Sequence, residues 1–524
     1  METPLVGLVR KILESPTFLT QTTDQQQVIL KILEETGEIT RDDIGKLIEE
    51  RLKEEQLNQE ISKIGKFLNG LDYNTFLTFI LSTEIRGQHL ITLCSSSKKL
   101  NEFCNRAFQL ENVKGGLVGQ SQDQYLFRLL LDRMRIPISR GKTPRQTYLE
   151  KTIGGKVIAF GNNTFGQLGI RLPDQSFSGE NFYNVVSIPT VVPDLENIVQ
   201  VSAGDFHSLA LDNQGRVWGF GHNSNGELGL GKEHVDRHGL TLNPYLKDII
   251  QVSASDFSLC LDKNGRVWGF GLNETGNLGV GDQIDRNVPT IIPLLKNIVQ
   301  VSAGEGHSLC LDNQGKVWVF GYDELGQLGL GDIDVDIDTQ ELPILNPYLT
   351  EIVQISAGGQ HSLCLDRQGR VWSFGNNNYG QLGLAQTENG DNDIVAIYPT
   401  MIPNLNNIVQ ISAGNRHSLC LDNQGKVWGF GSNDYGTLGL SIEEGSIIPI
   451  IIPGLDNIIE ISAGHNHSLC LDNQGRVWEF GHNVDGELAL HYKSHNINIP
   501  TLNQTLKGIF QISASFYSLC LGRP

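Results

Sequence analysis

The sequence predicts a mainly β fold: a seven-bladed propeller closed by pairing of N- and C-terminal half-blades, preceded by an α-helical N-terminal region. Three observations carry it. All six tryptophans fall in one Arg/Lys-Val-Trp phrase, at Trp218, Trp268, Trp318, Trp372, Trp428 and Trp478, and a seventh copy, Lys156-Val157-Ile158, has Ile158 in place of Trp. A second phrase, Ser-Ala-Gly-x-x-His-Ser-Leu-Cys-Leu-Asp in its commonest form, also occurs seven times, beginning at Ser202, Ser253, Ser302, Ser356, Ser412, Ser462 and Ser513. Finally, the first copy of the repeat lacks its first half and the last copy lacks its second half.

Each repeat resolves into strands. An apolar run such as Ile298-Val299-Gln300-Val301 and the alternating Ser308-Leu309-Cys310-Leu311 are the first two. Asp312-Asn313-Gln314-Gly315 then turns the chain, with Gly315 supplying the positive φ of a short bulged hairpin. Lys316 to Phe320 returns as the third strand. Pro289-Thr290-Ile291-Ile292-Pro293 reads as a fourth, whose prolines suit an outer edge. Four antiparallel strands per repeat make one propeller blade. Ile509 to Leu521 supplies two inner strands and Lys156 to Pro193 two outer ones, so the two ends together complete the seventh blade. An open array would instead need polar caps at both ends.

Read in order, these phrases resemble the regulator of chromosome condensation repeat over residues 156 to 524. The resemblance rests on Ser-Ala-Gly-x-x-His-Ser-Leu, then Asp-x-x-Gly-Arg/Lys-Val-Trp, then Phe-Gly-x-Asn-x-x-Gly-x-Leu-Gly. It implies a propeller that acts by binding proteins, with nucleotide exchange on a Ran-like small GTPase as an alternative function; the near-identical repeats also permit a structural scaffold protein. The basic N-terminal tail that the family uses for chromatin docking is missing here.

Composition narrows the function classes. The 524 residues carry 40 Lys and Arg against 59 Asp and Glu, a formal charge of −19. So acidic a chain is a poor general binder of phosphate backbones, and nucleic acid is not an expected partner. No apolar run approaches the roughly 20 residues of a spanning helix, and no secretory cleavage pattern follows Met1 to Pro16, so an intracellular protein without membrane contact is expected.

Most repeated residues read as structural. Cys260, Cys310, Cys364, Cys420, Cys470 and Cys520 share one strand position that Ala210 fills in the remaining copy, which points to small buried packing rather than disulfides or metal. His207, His307, His361, His417 and His467 share another, where Phe257 and Tyr517 stand in the other two copies, so the imidazole is expected to fix its hairpin by a hydrogen bond. The Gly-rich phrases lack the strand-to-helix setting of a phosphate cradle and are turns. Asp332, Asp334 and Asp336 begin like a calcium loop, but Ile337 stands where the turn glycine belongs and Pro343 where the bidentate Glu belongs. No metal, cofactor or convergent catalytic set is expected, and the protein reads as a non-enzyme.

Recognition residues are sought where copies differ. The positions before the repeated His vary: Asp205-Phe206, Glu305-Gly306, Gly359-Gln360, Asn415-Arg416 and His465-Asn466. Asp256 stands at the same tip. Circular closure sets blades seven, one and two side by side, so Phe516, Tyr517, Phe206 and Phe257 are expected to form one aromatic patch, with Asp205, Asp256, Glu305 and Arg416 on the same face. The longer loops Arg171 to Ser187, Asp332 to Leu345 and Ala385 to Ala396 are the other candidates.

Before the propeller the composition changes. Residues 1 to 155 carry 21 basic and 20 acidic residues, against 19 and 39 in the rest. Thr23-Asp24-Gln25-Gln26 is a capping box before Val28, Ile29, Ile32 and Leu33, which opens a helical region over residues 1–70. Residues 71–135 resemble an F-box: Leu71, Ile80, Leu81, Leu90 and Leu93 match that family's apolar positions and Phe127 its closing aromatic, while Asp72 replaces the usual Pro. That resemblance implies docking onto a Skp-type adaptor of a cullin ubiquitin ligase. Residues 136–155 read as a basic linker, with Arg140, Lys142 and Arg145.

Overall fold

The structure is a computed structural model that describes residues 154–171, 184–231, 237–331, 338–385, 395–490 and 496–523. The 1–70 helical region, the 71–135 F-box-like segment, nearly all of the 136–155 linker and much of the three longer loops lie outside the described residues.

Among the described residues, twenty-eight strands form seven four-stranded antiparallel sheets. Blade 1 holds β3 (Ile198–Ala203), β4 (His207–Asp212), β5 (Val217–Gly221) and β6 (Arg237–Leu242) from the inside out. Blades 2 to 6 repeat this order with β7 to β26. Blade 7 is assembled from both ends, in the order β2-β1-β28-β27, where β1 is Lys156–Asn162, β2 Val185–Val191, β27 Ile509–Ala514 and β28 Tyr517–Gly522. Lys156 pairs with Gly522 and Gly161 with Tyr517, so the expected closure holds.

The same few residues shape every blade. In blade 3, β12 (His307–Asp312) turns into β13 (Val317–Tyr322) through a tight loop in which Gly315 has φ +78° and donates to Asp312 O. The Asp312 carboxylate holds this loop from within, with Oδ1 accepting from the amides of Gln314 and Lys316 and Oδ2 from Trp318 Nε1. The equivalent Asp212, Asp262, Asp366 and Asp472 also take an Arg Nε at 2.6–2.7 Å, and that Arg lies over the Trp ring. Each Trp packs partly buried against a core cluster shared between blades; Trp318, for example, packs against the cluster that contains Phe257, Leu259 and Val267 of blade 2.

Side chains also tie the innermost strands into a ring. Gln200 donates to Val252 O while its Oε1 accepts from Val252 N, and Ser202 Oγ accepts from Ala254 N. The pattern passes from blade to blade and ends with Gln511 and Ser513 holding Val201 and Ala203 of blade 1. The six repeated cysteines are buried and free, and burial pushes their thiols well above the ordinary range. No helix among the described residues is long and apolar enough to cross a membrane.

Candidate recognition face

The hairpins that join the two inner strands of each blade converge on one face of the ring. Neighbouring tips bond through their backbones: Asp205 N to Ser255 O, Glu305 N to Gly358 O, Gly359 N to Gly414 O and His465 N to Ser515 O. The tips are so close that a Cβ on Gly358 would stand 2.5 Å from Gly414 O, which explains the glycine there.

Just behind the tips lies the repeated histidine, whose Nε2 reaches a serine of the next blade. His207 Nε2 meets Ser258 Oγ of the next blade at 2.8 Å, and His307, His361, His417 and His467 repeat the contact with Ser362, Ser418, Ser468 and Ser518. Each of these serines donates its only proton to a carbonyl, such as Glu227 O for Ser258. The imidazole must therefore donate from Nε2. Burial holds these rings neutral, pulling His207 and His307 down to about 4 and His361, His417 and His467 down to about 3. Tyr517 closes the belt, its hydroxyl lying 2.7 Å from His207 O and 2.6 Å from Ser208 Oγ.

The four-ring patch expected from the sequence is therefore only half right in position. Phe257 and Tyr517 are fully buried, because the position they share with the histidines begins a strand packed between blades on both faces. Phe206 and Phe516 do meet on the surface, stacked with centroids 5.5 Å apart. The hairpin of blade 7 is one residue shorter than that of blade 1, so Phe516 occupies the tip itself.

Their neighbours are Phe165 and His222, which sequence reasoning passed over, and His465, one of the variable tip residues. Phe165 meets Phe206 edge-on at 5.2 Å and His222 at 5.1 Å, while His465 stacks on Phe516 at 3.9 Å. The result is a continuous stripe over blades 6, 7 and 1, with Phe206 40% exposed. Phe165 stands at a variable position in the Asn-x-x-Gly turns that carries Tyr379 and Tyr435 in two other blades. Arg416 lies over Tyr379 at 4.6 Å.

The adjoining part of the face, over blades 2 to 4, is acidic. Asp256, Glu274 and Glu305 line a hollow of about 240 Å³ with Leu272, Thr275, Asn277, Gly306, Tyr322 and Gln360. Burial, with Asp256 and Glu305 nearby, holds the Asp205 carboxyl well above its ordinary value, and burial also raises that of Glu305. Asn415 reaches back from blade 5 to Glu305 and meets His465 Nε2 at 3.0 Å. No group of three or more His, Cys, Asp or Glu among the described residues is arranged to hold a metal.

Residues 156–521 match the model of the RCC1-like domain. The chain belongs to that family. Protein pim1 of Schizosaccharomyces pombe is 28% identical over 310 residues, 57% of this chain and 38% of that protein. The human probable E3 ubiquitin-protein ligase HERC4 is 38% identical over 95 residues, 18% of this chain and 8% of that protein. The chain thus spans well under half the length of these curated relatives. The crystal structure of Prp20p from Saccharomyces cerevisiae superposes with a TM-score of 0.63 at 23% identity, covering 72% of this chain and 94% of that one. This RCC1-like propeller is a protein-interaction module.

Proposed function

We propose that the propeller recognises a protein target through its hairpin-tip face and that residues 71–135 dock a Skp-type adaptor, so that the chain acts as a substrate receptor for a cullin ubiquitin ligase. The observation that carries the recognition half is the stripe of Phe165, Phe206, Phe516 and His465, a run of stacked, partly exposed rings on an otherwise rigid ring of hairpins. Solitary exposed apolar residues need no explanation, but four contiguous rings at one end of a propeller form the anchor cluster that protein interfaces use. The adaptor half rests on the F-box resemblance of Leu71, Ile80, Leu81, Leu90, Leu93 and Phe127.

The test uses the full chain. Leu81→Asp with Leu93→Asp should abolish association with a purified Skp adaptor, while Phe206→Ser with Phe516→Ser leaves that association intact and removes at least tenfold of the target captured from cells. Wild-type chain that fails to associate with the adaptor removes the ligase reading.

A second reading is favoured by the acidic hollow beside the stripe. Asp256, Glu274 and Glu305 offer negative charge to a basic protein surface, and Prp20p is described with binding properties to Gsp1p and histones. Under this reading the propeller accelerates nucleotide exchange on a Ran-like GTPase, and deleting residues 1–150 leaves the exchange rate unchanged.

A further inference from the structure

In every blade the outer strand pairs regularly with its inner neighbour at its lower end and breaks register at a bulge above it. The lower end is fixed by a bond: Val192, Ile292, Asn346, Ile402, Ile452 and Asn503 each donate to the valine carbonyl of the third strand, as Asn243 does to Val217 O in blade 1. Three residues earlier, inside the bulge, six of the seven blades place proline: Pro189, Pro289, Pro343, Pro399, Pro449 and Pro500. Proline has no N–H to offer, so these six edges are guarded against strand addition. Blade 1 has Leu240 at that position.

In blades 2, 3, 4 and 6 the upper half of the outer strand is covered from the preceding blade. Gly231 N bonds Asn287 O, Gly281 N bonds Glu341 O, Gly331 N bonds Ile397 O and Ser441 N bonds Asn498 O. Among the described residues the open stretch is the lower half, where the prolines stand. In β6, Leu242 lies opposite Trp218 between the bonded pairs Val217–Asn243 and Gly219–Thr241, so its N–H and C=O turn away from the sheet, and it is 38% exposed; Leu240 stands in the bulge just above, with an N–H that the prolines of the other blades lack. The next outward position is Pro244, which ends the donor row.

We propose that the outer edge of blade 1 accepts an extended, proline-free segment of a partner protein as a fifth strand. The outward N–H and C=O of the edge define the occupant's extended backbone, and the exposed Leu242 favours an apolar or β-branched side chain opposite it, while Leu240 packs against the core cluster that holds Val192 and Phe220. The occupant is a linear segment rather than a second copy of this chain. Two ring-shaped bodies meeting over two residues of edge fall far short of the roughly 1,200 Å² that a stable pair buries, whereas a single strand needs only the edge itself.

The molecule supplies its own control. A Cβ on Gly169 would stand 3.3 Å from Leu240 Cδ2, just as one on Gly229 would stand 3.0 Å from Pro289 Cδ and one on Gly439 2.9 Å from Pro500 Cδ, so the Leu240 side chain fills the place of the proline ring. Leu240→Pro therefore fits the blade, and an unchanged thermal midpoint checks this. The probe is a Thr-Val alternating peptide with a photo-crosslinker, offered to the full chain beside a backbone N-methylated twin.

Wild-type chain should be labelled in β6, Leu240→Pro should lose that labelling at least tenfold, and Pro289→Leu should gain a second labelled strand in blade 2. The N-methylated twin should label neither. Equal labelling of wild type and Leu240→Pro, or none in β6 of the wild type, overturns the proposal. So does self-association of the wild type that Leu240→Pro abolishes, since β6 would then be occupied by its own copy.

Discussion

Glu479 occupies a strand position that is Gly219, Gly269 or Gly429 in three other blades and Val319, Ser373 or Ala159 in the rest. Its carboxyl is fully buried; Oε2 accepts from Asn503 Nδ2 at 3.1 Å, and Oε1 has no partner among the described residues. Burial pushes its pKa well above the ordinary 4.5. The folded state then keeps a proton that the unfolded chain releases, so stability is full below about 4.5 and falls as pH rises toward the folded value, by about 1.4 kcal/mol per pH unit. Glu479→Gln keeps the Asn503 bond and removes the titration. In urea unfolding at pH 5, 6, 7 and 8 the variant's advantage should grow with pH, and a pH-independent difference would show that Glu479 is ionised in the fold. The residue scale is also where the sequence was least legible. Phe206 and Phe257 look equivalent in the string Asp-Phe, but blade 2 has one residue fewer in its hairpin, so Phe257 slips into the buried strand position while Phe206 stays at the tip.

Hairpins and strands were legible because glycine, aspartate and alternating apolar residues act locally, and the Asp312 loop forms as its spacing implies. The histidine belt was not, since its partner serine is 51 to 57 residues away and invariant, leaving no variation that could reveal the pairing. These five rings have folded pKa values below the ordinary 6.5, so they contribute stability above pH 6.5 and lose it as pH falls toward 4 to 3. The raised carboxyls of Asp205, Glu305 and Glu479 act in the opposite sense as pH falls, so a variant must be compared with the wild type at each pH. His417→Gln retains a donor toward Ser468 and deletes one titrating group. Its urea midpoint should gain on the wild type progressively from pH 6.5 to 4, with a slope near one proton, or about 1.4 kcal/mol per pH unit. Parallel midpoint curves would mean that the His417 ring is protonated in the fold.

At the scale of the whole molecule, closure was legible because two half-repeats at opposite ends are each useless alone. The stripe across blades 6, 7 and 1 was legible only in part, because it depends on how tips of unequal length and turn residues of different blades meet after closure. Closure makes the last two strands a structural necessity. β28 covers β1 along its length, Gln511 and Ser513 complete the innermost ring, and Tyr517 ends the belt at His207. A chain ending at residue 508 would expose the edge of β1 and leave the Val201 and Ala203 amides without their side-chain partners. In an open solenoid, losing a terminal half-repeat subtracts only its own contribution and the remainder unfolds as before. In a closed ring, each blade is held from both sides, so removing the clasp should abolish the single cooperative transition and expose strand edges that aggregate. Thermal unfolding of the shortened chain should show a broad, low transition, and adding residues 506–524 as a separate peptide should restore part of the sharp one. A sharp transition from the shortened chain alone, with about six-sevenths of the enthalpy, would mean that the blades stack without needing the circle.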